Sequence, residues 1–335
     1  MAEVHKKQSY WRLVSRQFRR NVLAVAGLGV VIVLFGVALA APMLASGRPV
    51  YLFKDGRTFW FPNLRDYPEL RQIDFRSWQP GPGEKAVWPP VPYSPTESNL
   101  RTRLKAPSSA NWLGTDDRGR DVLSRMIWGT RISMSIGFVS VGIAVAIGMV
   151  IGALAGYFGG RVDSGILRLI EVMMCFPTFI LILSLRAFLP PNIFTIMIVI
   201  GITSWEGVAR LVRGEFLRLR ETDFATAARA TGLSHARVMF RHLMPNALSP
   251  VWVSATFGVA GAILVESALS FLGFGVPPPT ASWGEILQQS KQYLIRQDAA
   301  WWLVTFPGAA IFLTVTAFNL VGEGLRDAMD PRLRQ

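Results

Sequence analysis

The chain has 335 residues, of which 51% are hydrophobic and 17% are charged, against roughly 25% charged residues in an ordinary soluble domain. Lysine and arginine together number 35 against 22 acidic residues, so the formal net charge is +13. This combination excludes a disordered chain and argues against a typical cytosolic enzyme. The single cysteine and the three histidines exclude a disulfide framework and leave little material for a metal centre, so we predict no bound metal.

Six apolar stretches follow one another along the chain. Each is long enough, at about 1.5 Å per residue, to cross most or all of the roughly 30 Å hydrocarbon core of a bilayer as a helix. Buried helices of a soluble protein could imitate one or two of them, but not all. The pattern predicts an all-α, polytopic membrane protein with six transmembrane helices, at residues 22–41, 132–158, 166–185, 193–211, 247–265 and 299–322.

The basic residues predict the orientation, because short cytoplasmic loops carry an excess of lysine and arginine. They crowd the N-terminal tail 1–21, the loop between the fourth and fifth spans, and the tail 326–335. The outer loop 274–300, by contrast, holds only Lys291 and Arg296. We therefore expect both termini in the cytoplasm, and we interpret the charge as topology and contact with membrane lipid rather than as a nucleic-acid surface.

The segment 42–130 after the first span should lie outside the cell, and it is rich in proline and tryptophan. Proline fixes φ and removes a hydrogen-bond donor, which favours extended chain. No long periodic pattern predicts a core of its own. Two interpretations stay open, a linker draped over the membrane domain or a docking surface for an external partner; the tryptophans concerned are Trp60, Trp78, Trp88 and Trp112.

Acids and bases alternate in residues 114–125, at the end of this outer segment. The acids alone could suggest a site for a hard cation. Their alternation with arginine instead favours a structural turn held by ion pairs, with Asp121 and Arg125 one helical turn apart on a helix that starts near Thr115.

The second span carries Gly148, Gly152 and Gly156 at intervals of four residues. This spacing places bare backbone along one helix face, and small residues let helices approach closely in lipid. We predict that these glycines pack against a neighbouring helix.

A few charged residues fall inside the predicted spans, where charge is costly and usually faces the bundle interior. We expect Glu206 and Arg210 to pair at i,i+4, and Arg168 and Glu171 to lie near the membrane surface. Glu266 has no partner nearby in the sequence. It is therefore a candidate for the translocation path or a gate.

The inner loop 221–245 reads as two short helices. The first begins with acids, which suits its dipole, and presents small alanines. Gly232 can end it, because glycine accepts a left-handed C-cap. The second carries Arg237 and Arg241, and Pro245 marks the entry to the fifth span. The residues alone leave two roles open, docking to a soluble partner or lying on the lipid surface.

Thr226-Ala227-Ala228, followed after three residues by Gly232 and after nine more by His242-Leu243-Met244-Pro245, resembles the EAA loop of ABC importer permeases. The resemblance implies a coupling helix seated in a groove of the ATPase subunit. The family motif begins with glutamate, and Thr226 stands in that place. The interface that the resemblance implies comprises Ala225, Thr226, Ala227, Ala228, Arg229, Ala230, Thr231, Gly232, Leu233, Ser234 and His235.

Further blocks resemble dipeptide and oligopeptide permeases of the C type. The long outer insert, with Arg48-Pro49, Phe61-Pro62 and Trp88-Pro89-Pro90, is similar to the Yej-type subgroup, linked to oligopeptides and microcin C. The resemblance implies the type I, MetI-like importer fold, with a permease core at 131–325, five transmembrane helices in it and a coupling loop at 212–246. The blocks are 114–125, 129–133, 156–163, 241–246, 266–273 and 324–332.

The implied function is that of a permease subunit in the bacterial inner membrane, importing peptides or, alternatively, nickel or another small solute. The chain has no G-x-x-x-x-G-K loop, so we expect no cofactor on it and no enzymatic activity. ATP and Mg would bind two partner ATPase subunits. A second, B-type permease subunit and an external substrate-binding protein complete the expected set of partners. An ion-coupled carrier would need internal repeats, and an intramembrane hydrolase a nucleophile and base; we find neither, and predict no catalytic residue.

Overall fold

The computed structural model of this chain describes residues 10–293 and 300–330. It is mainly helical, with one small sheet. The strands are β1 (Tyr51–Lys54), β2 (Arg57–Trp60) and β3 (Lys85–Val87). The helices are α1 (Tyr10–Arg20), α2 (Val22–Leu44), α3 (Val122–Phe158), α4 (Gly160–Cys175), α5 (Thr178–Phe188), α6 (Ile193–Ile202), α7 (Glu206–Leu219), α8 (Asp223–Ala230), α9 (His235–Arg237), α10 (Met244–Leu272), α11 (Trp283–Ser290) and α12 (Trp302–Met329).

Four helices of the described chain are long and apolar enough to cross a membrane: α2, α3, α10 and α12. A π-helical turn, Val238–Leu243, joins α9 to α10, so the fifth span continues a helix that starts at His235. The four helices contain the first, second and fifth predicted spans and most of the sixth. The sixth span begins at Trp302 rather than at residue 299, which lies outside the described residues, as do the predicted tail beyond residue 330, Arg296 and residues 1–9.

The third and fourth predicted spans are each a bent pair of helices rather than one straight helix. α4 and α5 meet at 81°, and α6 and α7 meet at 41°, which brings the possible crossings to six. The first bend lies at Pro177, and the residue before it, Phe176, is extended, as a residue preceding proline prefers to be. At the second, the Thr203 hydroxyl donates to the carbonyl of Val199 at 2.7 Å as the helix ends.

α3 forms the centre of the bundle, where it packs against α7, α6, α10 and α2. α12 packs against α10 and α2 and closes the other side. Val14 of α1 is buried against Ala328 and Met329 at the end of α12. The described start and end of the chain therefore lie at the same end of the bundle.

The outer segment builds a core of its own, which corrects the expectation of extended chain without one. Its three strands are antiparallel in the order β2-β1-β3. The hairpin turns at Asp55 and Gly56, both with positive φ, as a tight β-hairpin requires. A buried apolar cluster supports the sheet: Leu52, Phe59, Leu70 and Phe75. Residues 46–99, which we call the sheet unit, are thus a small folded body rather than a linker.

The sheet unit should lose stability in acid. Lys54 Nζ lies 2.6 Å from Glu84 Oε1, and its hydrogen bond, together with that from the Gly81 N–H, holds the pKa of Glu84 below its ordinary value of 4.5. A carboxyl with a depressed folded-state pKa stabilises above its unfolded pKa, and this contribution is lost as the pH falls through the folded value. We expect faster amide hydrogen exchange in β1 and β3 below about pH 4.5, beyond the intrinsic pH effect. Glu84→Gln should remove that extra pH dependence; an unchanged profile would contradict the prediction.

α3 begins ten residues before the predicted second span, because Asp121 caps it. The Asp121 carboxylate accepts from the Ser124 N–H at 2.7 Å and from Asn111 Nδ2 at 2.8 Å. The expected Asp121–Arg125 pair is therefore wrong. The Arg125 guanidinium pairs instead with Asp116 and Glu285.

Candidate functional site

The loop between α7 and α10 forms a compact projection at the end of the bundle where α3 also ends. α8 carries the first half, and its end is closed by Gly232, whose φ is +74° and whose N–H donates to the Arg229 carbonyl at 3.0 Å. A Cβ added at Gly232 would meet nothing within 4 Å, so the glycine is needed for its backbone conformation and not for space.

One face of α8 anchors the loop to the membrane helices. Ala225 is buried, and Ala228 and Leu233 pack on the same apolar cluster. That cluster draws its members from three membrane helices and the π-helical turn, among them Tyr157, Val212, Phe216, Leu243 and Val251. Packed side chains therefore join α8 to α3, α7 and α10.

The opposite face of the loop is exposed and consists mainly of small side chains. The Arg229 guanidinium is tied to the loop itself, donating to the Arg220 carbonyl at 2.8 Å and to Thr226 Oγ1 at 3.1 Å. Thr226 thus accepts from a neighbour where the family motif has a carboxylate. Within the predicted interface 225–235, the exposed residues are Thr226, Ala227, Arg229, Ala230, Thr231, Gly232, Ser234 and His235.

His235 joins the second half of the loop to the end of α3, a contact that the sequence did not predict. Its Nδ1 lies 2.9 Å from the Tyr157 hydroxyl, and its ring packs on those of Tyr157 and Phe158. Nearby, Arg213 forms a double hydrogen bond with Asp163, which links α7 to α4. The only available signal was the aromatic pair directly before the glycines that separate α3 from α4.

The three glycines of α3 all face α7. A Cβ on Gly148 would lie 2.6 Å from Val208 Cβ, and one on Gly152 would lie 2.4 Å from the Ala209 carbonyl oxygen. At Gly156 the distance would be 2.5 Å, to Phe216 Cβ. Real Cβ atoms do not approach so closely. The close contact between α3 and α7 is therefore possible only because these three positions are glycine and carry no side chain.

Glu266 is wholly buried and has partners that its sequence neighbourhood did not predict. Its Oε1 accepts from the Ser270 hydroxyl at 2.7 Å and from the Ser282 hydroxyl at 2.8 Å. Ser270 lies one turn along the same helix, so the expectation of no local partner is wrong. Oε2 has no hydrogen-bond partner among the described residues. The carboxyl ties α10 to the start of α11.

The other two charged pairs within the spans differ in whether they form an ion pair. Arg168 and Glu171 form an exposed pair at 2.9 Å. Within residues 10–293 and 300–330, no ion pair joins Glu206 to Arg210, which corrects that expectation, and Glu206 Oε2 is buried without a hydrogen-bond partner. The same residues contain no cluster of three or more His, Cys, Asp or Glu that could hold a metal ion.

A cavity of about 270 Å³ lies between α3, α6, α7 and α10. Its lining consists of small and apolar side chains, and Glu266 is not part of it although the preceding residue, Val265, is. Some of the small residues that make room for it are Ser140, Ala144, Gly207, Ser254 and Gly258.

The chain is similar to known membrane transport proteins over most of its length. A family model described as binding-protein-dependent transport system inner membrane component matches residues 148–335, and one described as the N-terminal transmembrane domain of oligopeptide transport permease C matches residues 9–57. The dipeptide transport system permease protein DppC of Alkalihalophilus pseudofirmus is 35% identical over 97% of this chain and 91% of its own length. DppC of Haemophilus influenzae is 41% identical over 73% and 84%. A chain of the inward-facing MetNI methionine ABC transporter is similar with a TM-score of 0.49 and 17% identity, over 62% of this chain and 98% of its own.

Proposed function

This chain belongs to the family of binding-protein-dependent transport system inner membrane components, and from that premise we propose that it is the permease subunit of an ABC importer that carries peptides into the cytoplasm. Its fold class is the transmembrane domain of a type I, MetI-like importer. The relatives named above are dipeptide permeases, which favours peptides over the nickel-type alternative. The Yej-type cargo, oligopeptides or microcin C, is a narrower proposal that rests on the outer segment alone.

The proposal includes partners that supply what this chain lacks. Two ATPase subunits would bind ATP and Mg and drive transport. A second, B-type permease subunit would complete the membrane domain, and an external substrate-binding protein would deliver the cargo. In the bacterial inner membrane, both termini and α8 would then lie on the cytoplasmic side, with the sheet unit outside.

The observation that carries the proposal is the two-faced geometry of α8. Its exposed face of small side chains suits close approach by a grooved partner, whereas Ala225 and Ala228 fix the other face to the bundle. ATP-driven movement of the ATPases would therefore move α8 as a rigid lever and bias the bundle between inward-facing and outward-facing states. We place the substrate path along the cavity between α3, α6, α7 and α10, facing the second permease subunit. Glu266, buried behind it, would then support the path instead of lining it.

The proposal is tested by placing a bulky charge on the exposed face. Ala227→Arg should leave membrane insertion and folding intact, because Ala227 is exposed, yet abolish ATP-driven peptide import and the stimulation of ATP hydrolysis by loaded binding protein. Both are measured in proteoliposomes containing the assembled complex. Ala228→Arg is a poorer test, because Ala228 packs against the bundle and its replacement would disturb folding as well.

The matched control is Ala110→Arg, which adds the same charge at an exposed alanine of the outer segment. It should transport at the wild-type rate. Normal import by the Ala227→Arg complex would refute the docking role of α8, and import by the chain without any ATPase would refute the importer assignment as a whole.

A further inference from the structure

A cleft of about 780 Å³ opens in the sheet unit, at the opposite end of the bundle from α8. One wall is formed by residues of the connection between β2 and β3 and by Trp88, directly after β3. There Phe75 packs edge-on against Trp78 at 6.0 Å and against Trp88 at 6.2 Å between ring centroids. The other wall is the stretch 92–99, which includes Tyr93. Its volume falls within the range of sites that enclose a small ligand.

The second wall is held in place by the membrane domain. The Ser124 hydroxyl of α3 donates to the Tyr93 carbonyl at 2.8 Å, and Arg125 Nη1 donates to the Pro95 carbonyl at 3.2 Å. The Arg76 guanidinium bridges the two walls by pairing with Glu97 at 2.7 Å. The cleft is therefore preformed. Its charged lining residues, Arg76 and Glu97, pair with each other, so the net charge of the cleft is close to zero.

Three aromatic side chains that line this cleft carry hydrogen-bond donors that are not paired within the described part of the chain. The indole N–H groups of Trp78 and Trp88 and the hydroxyl of Tyr93 have no hydrogen-bond partner among the described residues. Burial first, and the nearby Asp121 and Glu97 carboxylates second, raise the pKa of Tyr93, so its hydroxyl stays protonated and able to donate. Such rings usually find a partner when they are buried by a ligand.

Aromatic faces with donors at their edges match one class of ligand well. An extended peptide in polyproline II conformation has no internal hydrogen bonds, so all its carbonyls are free to accept, and its prolines and apolar side chains pack on aromatic rings. A docking protein would instead require a surface of about 800 Å² per partner, and the concave cleft encloses only a few residues.

We propose that this cleft is a second peptide site, which binds an uncharged, extended peptide segment at the outer face before or during its delivery. Trp78 and Trp88 provide the stacking surfaces and Tyr93 donates to a peptide carbonyl. The inference deepens the proposed function and rests on it, since the site has a use only if peptides reach this face of the protein.

The test measures binding without transport. The assembled complex in lipid nanodiscs, without ATP and without binding protein, is titrated by calorimetry with a pentapeptide of alternating proline and phenylalanine that has blocked ends. We expect saturable binding that Trp88→Ala weakens by about tenfold, as truncation of a buried aromatic anchor commonly does. Tyr93→Phe, which removes only the hydroxyl, should weaken binding by about fivefold.

Trp60→Ala is the matched control, because Trp60 lies in the same sheet unit on β2, exposed and away from the cleft. It should bind as the wild type does. Limited proteolysis of the sheet unit checks folding, and Tyr93→Phe keeps the test valid if Trp88→Ala unfolds it. Absence of peptide binding, or equal peptide affinity of Tyr93→Phe and wild type, would overturn the proposal of a peptide site. It would also be overturned if these variants lost docking of the binding protein while their peptide affinity stayed unchanged. If wild-type peptide import persists in those cases, only the cleft inference fails; if import itself is absent, the proposed function fails.

Discussion

Replacing Arg125 by methionine is expected to lower the free energy of unfolding by about 3–5 kcal/mol, because it leaves two buried carboxylates, Asp116 and Glu285, with the single cation Arg120. Arg125 is fully buried at the start of α3 and pairs with Glu285 of α11 and, at 3.3 Å, with Asp116. Arg120 holds Asp116 at 2.6 Å, so the cluster contains two cations and two anions in its buried centre. Deleting one charge breaks this balance in a place that water does not reach.

A second substitution distinguishes charge balance from lost packing. In the double variant Arg125→Met and Glu285→Met, the Arg120–Asp116 pair remains neutral, so the double variant should be more stable than Arg125→Met alone. Arg168→Met, which removes an arginine from an exposed pair, should cost less than about 1 kcal/mol. Unfolding is followed in mixed micelles with a rising fraction of sodium dodecyl sulfate. Equal destabilisation by the single and double variants would contradict the balance argument.

In the inner loop, the sequence predicts the helix and its end but not which face of the helix is exposed. Acids at the start of α8, small alanines and a capping glycine are local signals, and the structure has a helix that ends before Gly232 in a left-handed turn. Local signals also predicted the long apolar helices. They could not predict which face of α8 is exposed, because Ala225, Ala227 and Ala228 are chemically alike. Only packing against Val212 and Phe216 distinguishes them.

Two of the missed contacts join partners that are distant in the sequence. Arg125 and Glu285 are 160 residues apart, and Ser282 reaches Glu266 from beyond the end of α10. No periodic pattern records such contacts. Charge pairing at i,i+4 was expected for Asp121 and for Glu206. Helix capping takes the Asp121 carboxylate and tertiary ion pairs take Arg125, whereas nothing in the structure explains why Glu206 does not pair with Arg210.

The sheet unit was missed for a different reason. Its strands have three or four residues each, too few for an alternating pattern to be recognised, and prolines surround them. Two of the four tryptophans named in the outer segment, Trp78 and Trp88, pack on the core of the sheet unit and line its cleft.

Adding one methyl group at Gly152 is expected to destabilise the bundle, although alanine is a better helix former than glycine. The new Cβ would lie 2.4 Å from the Ala209 carbonyl oxygen and 2.8 Å from Val212 Cβ. The first neighbour is backbone and cannot rotate away, so α3 and α7 must move apart. Overpacking of this kind costs about 1–3 kcal/mol. Gly148→Ala and Gly156→Ala should act in the same direction, and combining all three should prevent folding.

Gly142→Ala, on the same helix, is expected to stabilise the protein where Gly152→Ala destabilises it. A Cβ there would meet nothing within 4 Å, so only helix propensity remains, which favours alanine by about 1 kcal/mol. Both variants are compared by unfolding in mixed micelles. Because α7 leads directly into α8, Gly152→Ala should also reduce transport more than ATP hydrolysis in whatever complex still assembles, since a loosened α3–α7 contact transmits less of the movement of α8. Equal stability of Gly152→Ala and Gly142→Ala would mean that the two helices do not depend on this close approach.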